Sequence, residues 1–104
     1  MPILLVYPRP GLIRATIAAD FQEYGQDGVD WGLRVGMCES GYQPYVKNHT
    51  DGVARGVFQF KPATFYANAI RAGVENADIW NWRQQVKVAA YMFGIGQRVQ
   101  WECT

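Results

Sequence analysis

Apolar residues recur with helical spacing in four stretches of the chain. Ile13, Ile17 and Phe21 stand at i, i+4 and i+8 with Ala15, Ala18 and Ala19 between them, which predicts a helix from Leu12 that Gly25 stops. Gln26-Asp27-Gly28 reads as a turn, and Asp30 as the N-cap of a second helix over residues 31–39 whose buried stripe is Trp31, Val35 and Cys38. Ser40-Gly41 ends it. Residues 41–56 hold Gly41, Pro44, Asn48, Asp51, Gly52 and Gly56, all turn formers, and read as loop. Gly56-Val57-Phe58-Gln59-Phe60 is apolar but too short to separate strand from helix. Pro62 suits the first position of a third helix carrying Phe65, Ala69 and Ile70, which Gly73 closes. Asp78 is placed to cap a turn at Ile79-Trp80. The last helix covers residues 83–93, with Val86, Ala89, Ala90 and Phe93 on its inner face and Gly94 and Gly96 after it. Residues 1–11 hold three of the five prolines and form an extended lead-in to a domain over 12–104. The pattern predicts a mainly α domain of four to six short helices with little or no strand, free of repeats.

Composition narrows this further. A chain of 104 residues leaves room for one domain. A hydrophobic share of 49% against 18% charged is a globular balance and excludes a disordered tail. Aromatics at 14% exceed what a minimal core needs, and surplus rings often line ligand grooves. Ile3-Leu4-Leu5-Val6-Tyr7 is far short of the ~20 residues of a membrane span. It precedes Pro8-Arg9-Pro10, with no charged segment before it and no small-residue cleavage site after it, so it does not read as a signal peptide. A net charge of +1 argues against a dedicated nucleic-acid binder. Residues 1–54 are net acidic and residues 55–104 net basic, a weak pointer to one face that favours anions.

The chemistry-bearing residues are few. With two cysteines, one histidine (His49) and no CxxC, a zinc site has too few soft ligands, and no metal is expected. Cys38 and Cys103 are either buried free thiols or one disulfide. A bridge closing so long a loop would contribute roughly 4 kcal/mol and imply an oxidising compartment. Glu39 ends its helix with Val35 and Gly36 on the preceding turn. Helix carbonyls and apolar neighbours both disfavour the ionised form, as a general acid working near neutral pH requires. A partly exposed glutamate at a helix end is the plainer account of the same residue. A glutamine between two phenylalanines, Gln59, needs a polar partner if it is buried.

The order of the motifs adds to this. Cys38-Glu39-Ser40-Gly41-Tyr42-Gln43-Pro44 is followed by Gly56-Val57-Phe58-Gln59-Phe60-Lys61-Pro62-Ala63-Thr64-Phe65, then Gln84-Gln85-Val86-Lys87-Val88-Ala89-Ala90-Tyr91-Met92, then Trp101-Glu102-Cys103. This resembles the lytic transglycosylase (SLT) group of the lysozyme-like superfamily: an E-S-G-x-x-P segment, a G-[LV]-[MF]-Q segment with P-x-T after it, and a Q-[IV]-x-x-A-A helix. The cysteines and the terminal W-x-C are similar to those of the compact resuscitation-promoting-factor domains. The resemblance covers about residues 12–103.

It implies a compact lysozyme-like domain of the goose type, with a Cys38–Cys103 disulfide and a cleft between the Glu39 helix and residues 41–60. Glu39 would be the single catalytic acid. It would protonate the β-1,4 glycosidic oxygen between N-acetylmuramic acid and N-acetylglucosamine in peptidoglycan. As base it would then draw the proton from the muramoyl C6 hydroxyl, closing a 1,6-anhydro ring. A lysozyme-type hydrolase of the same bond and an inactive glycan-binding module are the alternatives. Ser40 would hold Glu39 or its loop, Gln59 would bond sugar or acid, and Gly56 would let the backbone approach the sugar. Tyr42, Tyr45, Phe58, Phe60 and Tyr91 are the candidate stacking walls, and Trp31, Trp80, Trp82 and Trp101 the core or tail anchors. Asp51 is the nearest candidate second carboxylate, ahead of Asp78. Lys47 and His49 lie beside the cleft loop. Larger relatives carry a later A-Y-N segment. Ala90-Tyr91-Met92 fits the Q-[IV]-x-x-A-A-x-Y helix better, so the groove is expected to be open on that side. No cofactor is implied. The partner is a peptidoglycan strand met by a monomer in a periplasmic, extracellular or phage-virion setting.

Overall fold

Four α-helices carry the fold: α1 (Pro10–Phe21), α2 (Gly25–Ser40), α3 (Pro62–Arg71) and α4 (Trp82–Gly94). Two short 3-10 turns, Gln22–Tyr24 and Arg98–Gln100, complete it, and residues 46–60 add only isolated bridges, Lys47 to Arg55 and Arg55 to Phe60. This computed structural model describes residues 7–103, the side chain of Val99 excepted. The apolar run through Val6, most of the lead-in and Thr104 lie outside them. The chain is mainly α, as the periodicity predicts.

The lead-in ends two residues earlier than expected. Pro10 takes the first helical position, where its fixed φ fits and its missing N–H costs nothing, and Leu12 and Ile13 donate to the Arg9 carbonyl at 2.9 and 3.2 Å. The largest departure is at residues 25–30. The expected turn and fresh helix start are absent. Gly25, at φ 75°, redirects the chain straight into α2, which runs sixteen residues. Gly28, which reads as part of a turn, instead begins a packing stripe. Gly28, Gly32 and Gly36 follow at i, i+4 and i+8. A Cβ on Gly32 would lie 2.9 Å from Ile17 and 3.0 Å from Phe21, and one on Gly36 would lie 3.3 Å from Ile17. Their bareness lets α1 lie close against α2, and α1 also packs on α4, which in turn receives α3.

Ile13, Ile17 and Phe21 are fully buried, each contributing on the order of 1.5–3 kcal/mol. They meet Trp31, Val35, Val57, Phe58, Phe65, Val86, Ala89 and Phe93 in one core. Two expected core positions differ. Cys38 is exposed, because Gly32 and Gly36 take its place on the stripe, and Ile70 is 77% exposed while Asn68 turns inward. The tail returns across this core. Trp101 packs edge-on against Trp31, Phe58 and Phe60, and its indole N–H donates to the Phe58 carbonyl at 2.7 Å. A disulfide joins Cys38 to Cys103, with Cα atoms 5.9 Å apart. No helix among the described residues is long and apolar enough to cross a membrane.

Candidate active site

Glu39 is the last residue but one of α2. Gly41 ends that helix in the left-handed conformation, its N–H bonding the Met37 carbonyl at 2.8 Å, and Ser40 fastens the helix end to the next segment. The Ser40 hydroxyl donates to the Val57 carbonyl at 2.7 Å and accepts from the Gln43 N–H at 3.1 Å. Ser40 is thus a clasp between helix and loop.

The loop is a scaffold of backbone bonds aimed by short side chains. Asn48 Oδ1 accepts from the N–H groups of Thr50 and Asp51 at 2.7 and 3.1 Å, and Asp51 Oδ1 from those of Val53 and Ala54 at 2.8 and 3.1 Å. Arg55 and Phe60 exchange a pair of 2.9 Å backbone bonds, which bends residues 56–59 into a tight turn. Gln59 sits on that turn at φ 51°, and its Nε2 donates to the carbonyls of Gly56 and Val46 at 2.9 and 3.2 Å.

Gln85 belongs to the Q-[IV]-x-x-A-A helix, and the sequence alone assigns it no role. It is fully buried on α4 and supports the whole turn. Its Oε1 accepts from the Val57 N–H at 2.9 Å, and its Nε2 donates to the carbonyls of Ile79 and Pro44 at 2.8 and 3.0 Å. The available signal is its helical spacing from Ala89 on an otherwise apolar face.

These elements enclose a polar cleft of about 170 Å³ lined by Glu39, Asn48, Asp51, Gln59, Lys61 and Thr64, with Ala54, Phe60 and Trp101 among its apolar residues. Gln100 and Glu102 of the tail complete the wall. Burial is the main cause that raises the Glu39 carboxyl above its ordinary value, the neighbouring Glu102 adds to it, and the Cys103 N–H, 3.2 Å from Oε2, opposes it. The sequence predicts the direction, but the walls that produce it come from the tail. Asp51 goes the other way: the Val53 and Ala54 N–H groups lower it, and Lys61 adds a smaller pull. One cleft therefore holds a carboxyl biased toward its proton and a carboxylate biased away from one. Among the described residues no group of three or more His, Cys, Asp or Glu side chains is arranged to hold a metal ion.

Several expected wall residues are elsewhere. Tyr42 is buried against α2, its hydroxyl donating to the Leu33 carbonyl at 2.8 Å, and Phe58 is fully buried beneath Trp101. Both are core residues because the loop turns them inward. Phe60 does line the cleft, as its floor. Gly56 makes its close approach to Gln85, whose amide a Cβ there would strike, and not to an open groove. Tyr45 packs edge-on with Tyr7 at 4.9 Å. Tyr91 lines a different depression, with Asp20, Tyr24 and Lys87. Asp78 is exposed and accepts from the Trp80 N–H at 3.0 Å, a turn cap, and Asn81 caps α4. Lys47 and His49 are exposed loop residues. Trp31 joins Trp101 in the core, while Trp80 and Trp82 are half-buried beneath Arg55 and Arg83. Compared with known proteins, the chain matches no family model, no curated protein and no solved structure.

Proposed function

We propose that the chain cleaves the β-1,4 bond between N-acetylmuramic acid and N-acetylglucosamine in peptidoglycan, with Glu39 as general acid and then base. The observation that supports this reading best is a half-buried carboxyl, biased toward its protonated form, opening on a polar cleft. A neutral carboxyl can deliver a proton to the bridging oxygen as the C–O bond breaks. The resulting carboxylate takes the proton of the muramoyl C6 hydroxyl, whose oxygen closes the 1,6-anhydro ring. Asn48, Gln59 and Thr64 offer polar groups to sugar hydroxyls and N-acetyl groups, over a base formed by the buried Phe60 and Trp101 rings. The motif order around Glu39, Gln59 and Gln85 supports the same reading, and with it a lysozyme-like fold.

Asp51 favours a second outcome at this site. A carboxylate kept ionised in the same cleft is suited to activate water, which would give hydrolysis in place of ring closure. Digestion of purified cell walls tests both. Wild-type protein releases muropeptides, Glu39→Gln releases them about 10²–10⁴-fold more slowly, and product mass separates the anhydro sugar, one water lighter, from the hydrolysed one. Lysis by Glu39→Gln equal to wild type removes the acid role.

A further inference from the structure

The tail reaches the Glu39 carboxyl from two anchors. Trp101 is fixed in the core through its indole N–H on the Phe58 carbonyl, and Cys103 is fixed by its disulfide to Cys38, the residue next to Glu39. Between them the chain has little freedom, and the Cys103 backbone N–H arrives 3.2 Å from Glu39 Oε2. Gln100, Trp101 and Glu102 close one side of the cleft on the way. A glutamate at a helix end has several open rotamers, and a donor on one carboxyl oxygen selects among them. Cys38 is exposed and Cys103 half-buried, so the bridge stands where a thiol can attack it.

We propose that the Cys103 amide, held by the disulfide, is the positioning group for the Glu39 carboxyl, and that the bridge is a thiol-sensitive switch of the cleft. The proposal rests on the acid role of Glu39. Oxidised, the tail walls the cleft and fixes the carboxyl. Reduction by two equivalents of a small thiol breaks the S–S bond, gives each cysteine sulfur one hydrogen and joins the two reductant sulfurs in a disulfide. The tail beyond Trp101 is then free to leave, Glu39 gains water, and the carboxyl loses its fixed orientation. The chain would have little activity in a thiol-rich compartment and full activity in an oxidising one. The charged groups that share the cleft with Glu39 are Glu102 on the tail, Asp51 in the loop and Lys61 at the head of α3.

The test compares the oxidised chain, the chain held reduced, and a variant with two glycines inserted between Glu102 and Cys103. The insertion keeps both cysteines and their bridge but moves the amide off the carboxyl. Turnover of cell walls is measured against pH, with circular dichroism and a non-reducing gel on the same samples. The insertion variant stays folded and bridged, kcat falls about tenfold, and the alkaline limb of the profile moves toward alkali as Glu39 loses the amide that favours its ionised form. In the reduced chain kcat falls as well, and the limb moves toward acid because the departing tail takes the shelter of Glu39 with it. Should reduction unfold the chain, the insertion variant decides alone. A bridged, folded insertion variant with wild-type kcat and pH profile overturns the proposal. An NMR titration of the Glu39 carboxyl reads the positioning without turnover: its midpoint moves on insertion, and an unmoved midpoint overturns the proposal. Oxidised wild-type protein that leaves walls intact while that midpoint still moves on insertion refutes the acid role and keeps the positioning.

Discussion

Glu39 and Asp20 are both half-buried carboxyl groups, and burial raises both above their ordinary values. Their surroundings differ in sign. Asp20 faces Lys87 and Arg83, which pull it back toward ionisation, with Glu23 a smaller opposing influence. Glu39 faces the like charge of Glu102 and a single backbone N–H. Asp20 sits in a depression with Ala19, Ala72 and Ala90 among its lining residues, whereas the Glu39 cleft carries the side-chain amides of Asn48, Gln59 and Gln100. Shelter alone therefore does not mark a proton donor. What distinguishes Glu39 is shelter in which no cation pulls it back, although Lys61 lines the same cleft, and side-chain amides around the space it opens on.

Activity is the largest contrast. Glu39→Gln lowers turnover of cell walls by about 10²–10⁴-fold, the usual worth of a general acid, while Asp20→Asn and Tyr91→Phe stay within about twofold of wild type. An Asp20→Asn variant as inactive as Glu39→Gln would move attention to the other depression.

The next effect concerns the wall that Asp20 lacks. Trp101→Ala removes a ring that is 5% exposed and leaves the Phe58 carbonyl without its indole donor, at a cost of about 3–5 kcal/mol in a denaturant or thermal melt. Gln85→Leu leaves the Val57 N–H and two carbonyls without partners and costs about 2–4 kcal/mol, although the side chain is of similar size. A stability loss under 1 kcal/mol in either variant contradicts this packing.

The sequence made some of this legible and hid the rest for physical reasons. The α3 and α4 helices could be read because Pro62, Gly73 and Gly94 bracket regular apolar spacing. The α1–α2 junction could not, because a glycine that turns the chain and a glycine that admits a neighbouring helix look alike in one dimension. Gly25 is the first kind, and Gly28 and Gly32 are the second. The Glu39 position follows from local helix geometry. Its walls do not, since Trp101 and Glu102 arrive from more than sixty residues away through contacts no local pattern encodes. Tyr42 and Phe58 read as groove walls because a surplus of rings does not say which of them the loop turns inward.

Exchanging the charge beside the carboxyl is a smaller perturbation that makes one region imitate the other. Glu102→Lys gives Glu39 the cation that Asp20 already has. The Glu39 carboxyl then ionises more readily, the alkaline limb of the activity profile moves toward acid, and turnover at neutral pH falls severalfold with the melt nearly unchanged. A limb that moves toward alkali would mean that Glu102 does not act on Glu39 through its charge.

The smallest effect is the most diagnostic, because its sign is fixed by linkage. A carboxyl raised in the folded state binds its proton more tightly folded than unfolded. Stability is then lost as pH rises from the ordinary carboxylate value through the raised one, and no contribution remains below that window. Both Glu39→Gln and Asp20→Asn remove this loss, so each variant is slightly more stable than wild type at neutral pH and equal to it in strong acid. Salt then separates them. Screening weakens the repulsion from Glu102 and so shrinks the gain of Glu39→Gln. It weakens the attraction of Lys87 and Arg83 to Asp20 more than the repulsion from Glu23, and so enlarges the gain of Asp20→Asn. Melts of both variants and wild type at neutral pH, at low and high salt, read the two slopes. Parallel slopes would show that the two carboxyl groups sit in equivalent fields, and the distinction drawn between them would fail.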